Sequence, residues 1–263
     1  MAPGPPRTPL DIGELIPELA PLRRRATALS SAPGDPGARD SSIGGPMLWP
    51  ADEPWPHCAE PGHADWSGAQ PSRPVPMVPV VQLFARDVPE LRFPEGKDVL
   101  QLLWCTLIHT EEPCTVLPVL HWRAESETLA AGVLRDIPEP AEGEYEGDFT
   151  PRPPCALSPV VVDDYPNWDR PEALRPRIAA AEEEFGFFYT ELACVLESKA
   201  GGYPAWTQPP DWPSCDRGHR MEHLLSVTGD EHVDMDMGDG GGVYVFLCRE
   251  CPELPHAHRF DCH

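Results

Sequence analysis

Basic residues are scarce in this chain of 263 residues: 20 Lys and Arg stand against 43 Asp and Glu, a formal charge of −23. That balance repels phosphate backbones and anionic headgroups and argues against a general nucleic-acid or membrane-surface role. The richest basic run, Arg23-Arg24-Arg25, reads as a solvated helix face. No run of about 18 apolar residues is present to cross a bilayer as a helix. The start, MAPGPPRTPLDIGE, has no basic segment followed by an apolar one, so a cytoplasmic location is expected. Neither Gly-x-Gly-x-x-Gly after a strand nor Gly-x-x-x-x-Gly-Lys-Ser/Thr occurs, which leaves nucleotide binding without support. Asp234, Asp236 and Asp239 lack the closing glutamate of a twelve-residue calcium loop and read as a solvated hairpin.

What is abundant is proline, 36 residues, which argues for short elements and many loops. Residues 9–30 carry Ile12, Leu15, Ile16, Leu19 and Leu22 near helical spacing, broken by Pro17 and Pro21. Val78–Val88 and Asp98–Leu107 read as strands paired in a hairpin, with Cys114–Trp122 extending the sheet. SPVVVDDYPNW predicts a short strand, and RPEALRPRIAAAEEEFG a helix stopped at Gly186. Met221–Gly229 and Gly241–Cys251 are two further apolar runs. The fold class expected is α+β, mainly β, with few short helices.

One stretch occurs twice. Ser41–His63 contains Gly44-Gly45-Pro46, Trp49-Pro50, Cys58 and His63, and Ser198–His219 contains Gly201-Gly202-Tyr203-Pro204, Trp206, Cys215 and His219. Each copy is followed by a strand, a loop and a strand ending in a cysteine. Two β-rich repeats related by a pseudo-two-fold axis are therefore expected, neither burying its faces alone. The organisation read from this is a helical segment and loop at 1–40, repeat one at 41–123, an acidic, proline-rich linker with a helix at 124–185, and repeat two at 186–263. The glycine pairs permit positive φ or close chain approach; Trp49, Trp55, Trp206 and Trp212 read as core and turn packing.

Here the residues resemble a known family. SKAGGYPAWTQ, a Cys/His pair, HLLSV and GDGGGVYVFLC are similar to the YwqG-like family, a bacterial group of unknown function. A weaker similarity is to the C-terminal part of the programmed cell death protein 2 family, where a Gly-Gly-x-Pro-x-Trp turn precedes cysteine pairs. That resemblance implies protein binding rather than catalysis. The chain departs from both patterns at His219, where cysteine is usual, and in HLLSV, which lacks the usual glutamine.

Nine cysteines, an odd number with several beside histidines at ligand-like spacing, fit reduced thiols with metal better than disulfides. Tetrahedral zinc takes four N or S ligands, commonly as two close pairs from separate turns. Repeat two offers Cys215 and His219 with Cys248 and Cys251; repeat one offers Cys58 and His63 with Cys105 and His109. Two closed, structural zinc sites in zinc-ribbon-like knuckles are expected, with one or two ions bound. His256, His258, Cys262 and His263 stand as spare ligands for the second. Cys114, Cys155 and Cys194 read as core or loop thiols. The resulting expectation is a zinc-stabilised, non-catalytic protein-interaction or chaperone-like module with a protein partner and unknown oligomeric state. The alternatives are a hydrolase with His223 or His121 as base, and a small-ligand-binding protein, either using a cleft between the repeats.

Overall fold

Runs such as VPVVQLF and VLQLLWC are apolar at almost every position because their strands are covered on both faces. In the computed structural model, which describes residues 11–109 and 115–263, both are almost wholly buried. The strands in chain order are β1 (Arg24–Pro33), β2 (Ser42–Ile43), β3 (His57–Cys58), β4 (Val75–Pro76), β5 (Val78–Phe84), β6 (Val99–Cys105), β7 (Leu117–Arg123), β8 (Cys155–Asp164), β9 (Lys199–Gly201), β10 (Glu222–Thr228), β11 (Gly242–Leu247) and β12 (His256–Asp261). The α-helices are short: α1 (Ile12–Leu15), α2 (Glu125–Ala131), α3 (Arg175–Phe185) and α4 (Tyr189–Ala193). The protein is mainly β, as expected.

Ten strands form one antiparallel sheet in the order β12-β11-β10-β9-β1-β8-β2-β5-β6-β7, and β3 and β4 pair separately. The expected hairpin of β5 and β6 is present, extended by β7. The sheet curls until its outer strands approach one another. The backbone of Pro118 faces His256 and that of Val116 faces His258, while Phe260 of β12 meets Phe149 edge to face at 6.1 Å. One core fills the interior from both halves, with Val80, Leu102 and Trp104 packed in the same cluster as Leu225, Val243 and Val245. Two smaller cores lie around Trp49 and Trp206, and a fourth joins α1, α3 and α4.

Three readings change. The helical spacing of residues 9–30 holds only to Leu22; a one-turn α1 capped by Asp11 leads into a 3-10 segment at Pro17–Leu22. Arg24 and Arg25 open β1, which pairs with β8 over its whole length. Its small residues Ala26, Thr27 and Ala28 fit between β8 and β9, and that pairing overrides the helix propensity of Ala and Leu. The stretch 124–185, read as a linker, supplies α2 and ten-residue β8, which lies mid-sheet between β1 and β2. Of the spare ligands in the tail, His256 and His258 lie in β12, and Cys262 and His263 follow it. The expected helix stop is observed, with Gly186 at φ 69° closing α3. Cys114 lies outside the described residues.

Candidate metal centres

Four side chains from the first half converge. Cys58 ends β3, His63 follows in the next turn, Cys105 ends β6 and His109 lies beyond it. Ala64 and Ile108 exchange backbone hydrogen bonds of 3.0 and 2.9 Å, which hold the segment after His63 beside the one before His109. The Cys58 Sγ lies 3.4 Å from His63 Nδ1 and 3.4 Å from His109 Nε2, and the Cys105 Sγ lies 3.6 Å from His63 Nδ1. His109 Nδ1 is 3.1 Å from the Thr115 carbonyl, which accepts only from a protonated Nδ1 and so turns Nε2 into the acceptor facing the cluster.

The second half builds the same kind of cluster from a tighter turn. The Cys215 amide donates to the His219 carbonyl at 2.9 Å and the Gly218 amide to the Cys215 carbonyl at 2.7 Å, curling the chain so that both side chains share one side. Cys248 directly follows β11, and its amide donates to Pro255 at 2.9 Å across the turn carrying Cys251. Cys215 and Cys251 have their sulfurs 3.8 Å apart, and His219 Nδ1 is 3.7 Å from the Cys248 Sγ and 3.5 Å from the Cys251 Sγ. On its outer side, His219 Nε2 lies 3.9 Å from the Glu250 carboxylate.

Within each cluster the four ligand atoms lie within 4.8 Å of one another, an arrangement that could hold a metal ion. The groupings are those expected from spacing. His256, His258, Cys262 and His263 join neither. Every described cysteine is free of disulfide. One thiol in each cluster is pulled towards the thiolate and another is pushed away from it. A hydrogen bond from Cys105 holds Cys58 well below the ordinary thiol range, helped by His109 and the Glu60 amide, and the same contact together with burial pushes Cys105 up. At Cys215 burial acts upward, yet the amides of His219 and Arg217 bring the thiol down to about 7. Burial and the neighbouring Cys248 push Cys251 up to about 11.

The histidines weighed as general bases are held in the neutral form. Burial pushes His223 down to about 3; its Nδ1 is 3.0 Å from the Gly201 carbonyl and its Nε2 2.8 Å from Ser226 Oγ. Burial, reinforced by Arg123, pushes His121 down to about 4, and its ring meets Trp49 edge to face at 4.8 Å. Cys155 and Cys194 are buried, as expected of core thiols.

Sequence reasoning missed one buried pair. Lys199 Nζ donates to Asp164 Oδ2 at 2.9 Å with both side chains inaccessible to solvent. The carboxylate also accepts from the Val195 and Tyr203 amides at 2.9 and 2.8 Å. Gly202, at φ 67°, passes so close that any side chain would collide with Asp164. A lysine inside the apolar strand of SKAGG was the available signal. No helix among the described residues is long and apolar enough to cross a membrane. Compared with protein-family models and with curated proteins, the chain matches none.

Proposed function

We propose that the protein is a zinc-stabilised, non-catalytic β-rich interaction module, in which two structural zinc ions lock corresponding corners of a duplicated unit. The distances between ligand atoms carry this reading. Zinc with bonds of about 2.3 Å to sulfur and about 2.05 Å to nitrogen, at tetrahedral angles, sets S···S at about 3.8 Å and S···N at about 3.6 Å. The observed edges are 3.8 Å for the Cys215–Cys251 sulfur pair and 3.4 to 3.7 Å for five sulfur–nitrogen pairs, with all ligand atoms of each cluster within 4.8 Å of one another. Each ion would receive four protein ligands, leaving no position for a reacting water, which favours a structural role.

Duplication is supported by features of both halves. The sheet order runs outward from β1 and β8 through a short strand and then a three-stranded meander on either side. Ser42 pairs with Ala156 and Gln82, as Lys199 pairs with Ala28 and Ser226. The Ser41 hydroxyl accepts from the Phe84 amide at 3.0 Å, and that of Ser198 from the Thr228 amide at 3.0 Å. The similarity of this stretch to the YwqG-like and programmed cell death protein 2 families agrees with a repeated, metal-clasped fold. Phe185 and Phe188, exposed on either side of Gly186, are the side chains we assign to a protein partner.

Metal analysis by native mass spectrometry, followed by cobalt substitution, tests the proposal. About two ions per chain, tetrahedral cobalt absorption with thiolate charge-transfer bands, and unfolding on chelation are expected. Protein purified without chelator that carries no metal and resists unfolding by strong chelators would remove the basis of this reading.

A further inference from the structure

The five cysteines of the two clusters are not equally placed. Cys58 and Cys105 both lie in paired strands, opposite Val75 and Leu117, so their backbone is fixed on a ladder. Cys215 and Cys251 both stand in turns outside the strands. Cys215 is also the least buried of the five, 7% exposed against 3% or less for the others. The next three residues of its turn, Asp216, Arg217 and Gly218, are exposed. A second sulfur stands behind it, with Cys251 Sγ 3.8 Å away.

Thiol count separates the clusters as well. With zinc bound, three thiolates and one imidazole give cluster two one negative charge in excess, whereas two thiolates and two imidazoles leave cluster one neutral. Oxidation of a thiol follows its thiolate character and its exposure, and both single out Cys215. A disulfide between Cys215 and Cys251 would leave the ion only Cys248 and His219, two ligands where a structural zinc takes four.

We propose that cluster two is a peroxide-sensitive zinc switch, in which Cys215 reacts first and Cys251 resolves it, while cluster one stays loaded. The switch is a regulation of the zinc centre proposed above and rests on that reading. The Cys215 thiolate attacks a hydroperoxide: the S–O bond forms, the O–O bond breaks, and the departing oxygen takes a proton. The sulfur is oxidised to a sulfenic acid and the peroxide reduced. The Cys251 thiolate then attacks that sulfur: the S–S bond forms, the S–O bond breaks, and hydroxide leaves and is protonated to water. With hydrogen peroxide, two thiolates and two protons give one disulfide and two waters. The sulfurs close from 3.8 Å to about 2.05 Å, a movement that falls on two turns rather than on the sheet. Cys215, Cys248 and Cys251 pack in one core with Trp206, Tyr244 and Phe246, and Trp212 meets Phe246 edge to face at 5.4 Å. Release of the ion therefore loosens an aromatic corner.

The test treats full-length, zinc-loaded Cys262→Ser protein, which lacks a free thiol outside both clusters, with hydrogen peroxide. A zinc-binding dye follows release, and peptide mass spectrometry maps disulfides. One ion should leave at least about tenfold faster than the other, together with formation of a Cys215–Cys251 disulfide and a change in tryptophan emission. A phosphine reductant with added zinc should restore it. Cys215→His gives cluster two the ligand set of cluster one, so both of its ions should survive the same treatment; if that variant fails to take two ions, the mapped disulfide of the Cys262→Ser protein still decides. Two ions retained under peroxide, equal loss of both, or a disulfide other than Cys215–Cys251 overturns the switch and leaves the zinc reading standing. Protein that carries no metal before peroxide is added overturns both.

Discussion

The two clusters differ where the halves around them look alike. Cluster one joins two thiols to two imidazoles, and its His63 is only 5% exposed. Cluster two joins three thiols to one imidazole, and its His219 side chain is 33% exposed beside Glu250. Each cluster has three buried ligands and one half-buried imidazole, His109 in the first and His219 in the second; with zinc bound as proposed, the first would be electrically neutral and the second net anionic. Geometry is set by strand ends and turns, which the halves share; ligand chemistry is set by single residues, which they do not.

The comparison predicts the order in which metal leaves. A chelator should strip cluster two first, because the His219 side chain is 33% exposed, whereas the half-buried His109 of cluster one is held at Nδ1 by the Thr115 carbonyl. Structural zinc contributes on the order of 10 kcal/mol in small domains, so this is the largest effect expected. Time-resolved metal release from Cys58→Ser and Cys215→Ser variants, each keeping one site, measures it; faster release from cluster one would reverse the comparison.

The buried Lys199–Asp164 pair gives the next contrast, since Ser42 occupies the corresponding strand position in the first half. Lys199→Met leaves a buried carboxylate unpaired and should cost about 3–5 kcal/mol. Ser42→Ala removes a hydroxyl that has no partner and should change stability by less than about 1 kcal/mol. Urea unfolding of the two variants reads the difference, and similar losses would deny the asymmetry.

The glycine pairs separate the halves more finely. At Gly202, φ 67°, a methyl group would strike Asp164 and approach Ala26 Cβ at 2.9 Å, whereas at Gly45, φ 93°, its nearest neighbour is Pro79 Cβ at 3.3 Å. Both positions strain an alanine by about 1–3 kcal/mol, and the collision adds to this only at Gly202. Gly202→Ala should therefore lower the melting temperature more than Gly45→Ala.

Acid is expected to treat the halves alike. His121 and His223 stay neutral in the folded chain down to about 4 and about 3, while an unfolded imidazole protonates near 6.5. Below about pH 6.5 the unfolded state binds the extra proton, so their stabilisation is full above that value and is lost as pH falls towards the folded values. The slope is about 1.4 kcal/mol per pH unit for each imidazole. His121→Gln and His223→Gln should each flatten the stability of metal-loaded protein between pH 6.5 and 5 by that amount, and an unchanged slope would show that the imidazole was already charged in the fold.

What could be read from the chain follows from how local each signal is. Cys215 with His219, or Cys248 with Cys251, stand on single turns, so spacing alone announced them, and the second copy indicated which pairs meet. The strands β5, β6, β10 and β11 were legible because burial on both faces leaves long apolar runs. β1 was not, because the small residues of RRATALSS take their conformation from β8 and β9, far along the chain. β12 was obscured by its histidines, whose alternation with Ala257 and Phe260 reads equally as ligands or as a half-buried edge strand. The partner of Lys199 could not be seen, since Asp164 reaches it only once β8 and β9 flank β1 in the folded sheet.

The long pairing of β1 with β8 bears on the order of assembly. The four residues of cluster one span only Cys58 to His109, so a metal of the proposed kind could be taken up at that corner early as the chain emerges from the ribosome. Arg24–Pro33 meanwhile has no strand beside it until Cys155–Asp164 and Lys199–Gly201 have been made. Pairings this remote close slowly and leave strand edges open to other chains. β1, the first strand among the described residues, is thus among the last to be sheltered, and a stalled nascent chain should aggregate through it even with cluster one already assembled.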